Sequence, residues 1–164
     1  MFVVVDTNVL IVANGRATPQ ANPTCVTNCV RRLQSIRNQE VLVIDDGWHI
    51  LSEYRRKVSP SGQPGVGDAF LKWVLTNQKN PNRCVDVSIT PIPGEESFVE
   101  FPSDVELANF DRSDRKFVAV ALTHPAKPPI LNAVDSDWRD FYQPLARNGV
   151  QIEFLCPEIL APCN

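Results

Sequence analysis

Glycine and histidine are scarce in this chain, with seven glycines and two histidines, His49 and His124, in 164 residues. No GxxxxGKS or GxxxxGKT loop occurs, which excludes a phosphate cradle of that type. Two histidines leave little room for histidine-based acid–base chemistry. The sequence has no internal repeat and no low-complexity block. It also lacks a basic n-region, and Asp6 and Asn8 interrupt the apolar stretch from Phe2 to Val12. That stretch makes a poor signal peptide and is too short to span a membrane, so the expectation is a soluble cytoplasmic protein with no membrane partner. An excess of positive charge is missing too: the net charge is −3. This argues against a protein that coats nucleic acid in general.

What the chain does have is enough apolar material for one core. Its hydrophobic content is 43%, ordinary for a globular protein, and the length suits a single domain over 1–164. The cysteines are Cys25, Cys29, Cys84, Cys156 and Cys163. An odd count without a secretion signal reads as free thiols. Cys25 and Cys29 are four apart and share a face if helical. Zinc would need two further soft ligands, so helix packing is the expected role of this pair.

Hydrophobic periodicity predicts alternating strands and helices. Strands are expected at 2–6, 41–44, 85–89, 130–134 and 150–155, where apolar runs show no polar alternation. Helices are expected at 24–38 with Thr24 as N-cap, at 46–58 with Asp46 as N-cap, at 68–77, at 112–123 and around 138–147. Residues 59–67 and the proline-bearing stretch 90–104 read as loops, placed either for substrate contact or as surface decoration. This order predicts a three-layer α/β/α fold with a central parallel sheet.

The acids fall at revealing places. Asp6 closes the apolar run Phe2-Val3-Val4-Val5, and Asp135 and Asp137 follow Ile130-Leu131-Asn132-Ala133-Val134. Asp111 and Asp114 open a predicted helix, and Glu53 lies within another. Each has an ordinary reading: turn or cap for Asp6, N-cap for Asp111 and Asp137, solvated helix face for Glu53. Capping needs one acid of each pair, however, which leaves Asp114 and Asp135 unexplained. Strand ends and helix starts gather at one edge of a parallel sheet. Acids from distant segments can therefore meet there, and a hard cation such as Mg²⁺ or Mn²⁺ would relieve their repulsion.

The segments Val4-Val5-Asp6-Thr7-Asn8-Val9-Leu10, Ile50-Leu51-Ser52-Glu53-Tyr54, Asp114-Arg115-Lys116-Phe117-Val118-Ala119-Val120-Ala121 and Ile130 to Trp138 resemble the PIN domain family. They follow the family's order over nearly the whole chain. The resemblance implies a metal-dependent ribonuclease with Asp6, Glu53, Asp114 and Asp135 as the catalytic, Mg²⁺- or Mn²⁺-binding acids. It implies Asp137 as an accessory metal-binding acid and Asn8 as a residue behind the ligands that fixes a carboxylate. Asp111 is expected beside the site in a capping role. Two departures from the family pattern stand out: Ala133 and Val134 occupy places where many PIN domains carry Thr or Ser, and the segment between Glu53 and Asp114 is long.

The expected activity is endonucleolytic hydrolysis of single-stranded RNA, whose backbone and bases are open without unwinding. The mildly acidic charge allows this, because a carboxylate site adds charge that metal ions offset. Arg56, Arg112 and Lys116 are candidate phosphate contacts, or simply a solvated charged face. Trp48, Trp73 and Trp138 are either base-stacking residues or core. The resemblance leaves room for a toxin held by an antitoxin protein, for a homodimer, and for the rival reading of a non-catalytic PIN-like interaction module. An aspartyl-phosphatase reading of Asp6 fails because position 8 is Asn8.

Overall fold

A computed structural model describes residues 1–16 and 21–160. The predicted three-layer α/β/α architecture is present, with a five-stranded sheet in the order β3-β2-β1-β4-β5. The strands are β1 (Phe2–Val5), β2 (Val41–Asp45), β3 (Cys84–Val87), β4 (Ile130–Asn132) and β5 (Ile152–Phe154), and every pairing among them is parallel. Val3, Val4 and Val5 are completely buried, as a strand covered on both faces requires.

The chain builds outward from β1 to β2 and β3, then returns to the other side of β1 for β4 and β5. Strand order therefore reverses beside β1, where Val4 and Val5 lie opposite Ile130 and Leu131. In open α/β sheets the crevice at the carboxyl ends of such strands is where ligands bind.

Helices α1 (Thr7–Ala13), α2 (Pro23–Gln39), α3 (His49–Lys57), α4 (Val66–Asn77), α5 (Arg115–Thr123), α6 (Asp137–Asp140), α7 (Tyr142–Arg147) and α8 (Pro157–Leu160) complete the described chain. Helices α1, α2 and α4 pack on one another, and α5 lies across β1, β2 and β4. Helix α4 approaches α1 closely at Gly67, where a Cβ would stand 2.0 Å from the Leu10 carbonyl oxygen.

Helix α1 was not expected, because Val9 to Val12 reads as a continuation of the first apolar run. Asp6 turns that run into a helix by accepting the Asn8 N–H. Helix α2 starts with Asn22, not Thr24, as its N-cap and Pro23 at its first turn. The α3 N-cap is Trp48, not Asp46; the buried Asp45 carboxylate instead receives the backbone N–H groups of His49 and Ile50. The predicted helix 112–123 begins as a 3-10 turn over Arg112–Asp114. Strand β4 stops at Asn132, short of the expected Val134, because the Asn132 amide bonds back to the Asp135 carbonyl. The excursion at 90–104 is mostly irregular, as expected, with an antiparallel bridge between Pro91 and Phe98.

The cysteines require a correction. Cys25 and Cys156 form a disulfide across 131 residues, so they are not free thiols. Their separation hides the pairing from any reading of local spacing. Cys29 and Cys84 are buried free thiols, and burial pushes both up to about 12. Cys163 lies outside the described residues. No described helix is long and apolar enough to cross a membrane.

Candidate functional site

Asp6, Asp114 and Asp135 meet at the carboxyl edge of the sheet. One carboxylate oxygen from each lies within 4.8 Å of the others. Asp6 sits where β1 leaves the sheet, and its backbone N–H still bonds to the Leu131 carbonyl of the neighbouring strand. Its Oδ1 accepts the Asn8 N–H at 3.1 Å, and its Oδ2 accepts the Trp138 indole N–H at 2.6 Å. Asp135 follows β4, and its Oδ1 accepts the Asp137 N–H at 2.9 Å. The N-cap of α6 is Ser136, not Asp137, and the Asp135 side chain supports the turn just before it.

Asp114 is the least satisfied member. It is 5% exposed, and its Oδ2 is buried with no hydrogen-bond partner among the described residues. Asp111, by contrast, has the capping role expected of it, accepting the Ser113 N–H and hydroxyl at 2.8 Å each. Burial drives the Asp114 carboxyl far above the usual carboxylate range, with Asp6 and Asp135 adding like-charge repulsion. Burial also raises Asp6, against the lowering effect of its bond from Asn8, and Asp135 and Glu53 raise it further. Asp137 is raised by burial and by Asp135. Buried carboxylates held this close resist ionisation together unless a cation joins them. Hard divalent ions take oxygen ligands, so the donor set and the orphaned Asp114 oxygen fit Mg²⁺ or Mn²⁺.

Glu53 stands beside this trio but outside it. Its Oε1 accepts the Thr7 hydroxyl at 2.5 Å, and its Oε2 pairs with the Lys116 ammonium. Lys116 is 8% exposed, so it is not the free phosphate-binding cation that the sequence suggested. Its charge is already matched by Glu53, and it also donates to the Ser113 carbonyl. Arg56 and Arg112 are exposed. Both line a cavity of about 430 Å³ that Glu53 and Lys116 also border. Asp137 approaches the Asp111 N–H at 3.3 Å and lies at the outer side of the cluster.

Asn8 acts differently from the expectation that it fixes a carboxylate rotamer. Its side-chain oxygen accepts the Ala133 N–H at 2.8 Å, and its amide donates to Asn132 Oδ1 at 2.8 Å. It clamps the loop that carries Asp135. Asn132 and Trp138 belong to the same frame; Trp138 is core, one of the two roles expected of it, but its bond to Asp6 and the part played by Asn132 were not foreseen. The available signals were a polar residue ending a buried strand and a tryptophan three residues beyond Asp135.

The fold and this cluster define an α/β protein with three clustered carboxylates at the switch point of its sheet. No protein-family model, curated protein or solved structure matches the chain.

Proposed function

We propose that this protein is a PIN-like, metal-dependent endoribonuclease acting on single-stranded RNA. The observation that carries the reading is the convergence of Asp6, Asp114 and Asp135, with a buried Asp114 oxygen left without a partner. Asp6, Asp114 and Asp135 would hold Mg²⁺ or Mn²⁺. Such an ion lowers the pKa of bound water and offsets charge on the scissile phosphate.

The protein's own groups supply orientation. Trp138 fixes the Asp6 carboxylate by its N–H, and Asn8 with Asn132 sets the position of the Asp135 loop. Supporting bonds of this kind tune ligand geometry and basicity. Thr7 and Lys116 hold the Glu53 carboxylate in one rotamer next to the trio. From there Glu53 serves as an acceptor that orients water and not as a metal ligand. Arg56 and Arg112 offer cations to the RNA backbone.

The Lys116–Glu53 pair favours the second reading, a non-catalytic interaction module, because it occupies the fourth acid. Incubation of a labelled single-stranded RNA pool with Mn²⁺, and with EDTA, separates the two. The nuclease reading expects fragments with Mn²⁺ and intact RNA with EDTA. Intact RNA in both leaves the interaction module. The Cys25–Cys156 disulfide suits an oxidising compartment better than the cytoplasm expected from sequence.

A further inference from the structure

The cavity beside the acids has a wall that metal chemistry does not require. At the turn into α3, Trp48 is held at φ 64°, a left-handed conformation that non-glycine residues rarely adopt and that clusters at functional sites. The residue is 37% exposed, although its ring is large and apolar. The Arg55 guanidinium stands 5.9 Å from the ring centroid.

His49, the next residue, is fixed from behind. The fully buried Asp45 side chain takes both its backbone N–H and its ring Nδ1, each at 2.8 Å. Asp45 accepts, so Nδ1 donates, and Nε2 is left as the free hydrogen-bonding atom of the ring. Across the cavity, Phe98 meets the His49 ring edge-on at 5.1 Å. The Pro91–Phe98 bridge holds this segment in place. Arg56 and Arg112 lie on the same lining, and so do Glu95 and Glu96. The two glutamates disfavour a polyphosphate, while a base with one flanking phosphate meets an aromatic face, a polar edge and a cation.

We infer that this cavity is a nucleobase subsite, which seats the base of a nucleotide flanking the scissile phosphate of single-stranded RNA. This rests on the ribonuclease reading above. Trp48 stacks on the base, His49 Nε2 meets its edge, and Arg56 and Arg112 meet the adjoining phosphate. Stacking platforms of this kind tolerate many base sequences.

The test uses a short single-stranded oligoribonucleotide, by tryptophan fluorescence in EDTA and by cleavage in Mn²⁺. The wild type is expected to be quenched on binding. Trp48→Phe should lose most of the quench yet bind within a few-fold. Trp48→Ala should weaken binding and raise KM by about 5- to 100-fold, with kcat nearly kept. Arg56→Ala should weaken binding and reduce the salt slope by about one. Cleavage by Trp48→Ala at unchanged KM, or quenching retained in Trp48→Phe, would overturn the subsite while leaving the nuclease intact. Trp48-dependent quenching without any cleavage would sink the nuclease and keep a base-binding cavity. Neither quenching nor cleavage removes both.

Discussion

Asp111 and Asp114 are three positions apart and have opposite environments. Asp111 is exposed and satisfied by Ser113, whereas Asp114 is buried with one oxygen unpartnered. Asp114→Asn is therefore expected to abolish Mn²⁺-dependent RNA cleavage. It should leave the metal-free melting temperature at least as high as that of the wild type, because a carboxyl opposed by like charges is gone. Asp111→Asn should retain both properties, since Asn caps nearly as well as Asp. Equal loss of cleavage at the two positions would show that Asp114 has no special role. Trp138 allows a subtler test. Trp138→Phe keeps a buried aromatic ring, though a smaller one, and removes the donor to Asp6. Its expected effect is a roughly 10- to 100-fold loss in metal affinity, read by Mn²⁺ titration. At this scale the sequence displayed the acids but not their supports. Strand ends can be located from apolar runs, whereas the Trp138–Asp6 bond depends on a turn that brings the indole back beneath the sheet edge.

Among the elements, the strands were the most legible, because β-branched runs such as Val3-Val4-Val5 suit a sheet buried on both faces. Helix α1 was hidden for the same reason: Val9, Leu10, Ile11 and Val12 carry the composition of a strand. Capping by Asp6 and packing against α4 override that composition. The α1–α4 contact depends on Gly67, so Gly67→Ala should destabilise the protein by about 1–3 kcal/mol in urea unfolding. Asp68, the next residue, is buried and accepts the Ser59 and Gly65 backbone N–H groups and the Asn14 amide. These bonds outweigh its burial and hold its carboxyl below the usual range. A lowered folded-state pKa adds stability above the unfolded value of about 3.9, and that stability is lost as pH falls through the folded value. Asp68→Asn should thus lower stability at pH 7 and flatten the acid limb below about pH 4 in a series of melting curves. An unchanged acid limb would mean that another carboxylate controls acid unfolding.

For the whole molecule, the disulfide between α2 and the segment after β5 spans 131 residues. Arg32 of α2 reinforces the same junction by pairing with Glu40 and with Glu153 of β5. Chain entropy assigns about 5 kcal/mol to a cross-link over so long a loop. Reduction, or the double substitution Cys25→Ser and Cys156→Ser, should therefore lower the melting temperature by roughly 10–20 °C. A shift of a degree or less would mean that the reduced chain loses nothing by the opening of the loop. The reversal of strand order at β1 has a consequence for synthesis. Asp6 is synthesised well before β4, the strand that lies beside β1 and leads to Asp135. Pairings this distant in sequence form late. A growing chain therefore holds Asp6 and Asp114 before the third carboxylate has been made, and the trio can close only after β4 has taken its place beside β1.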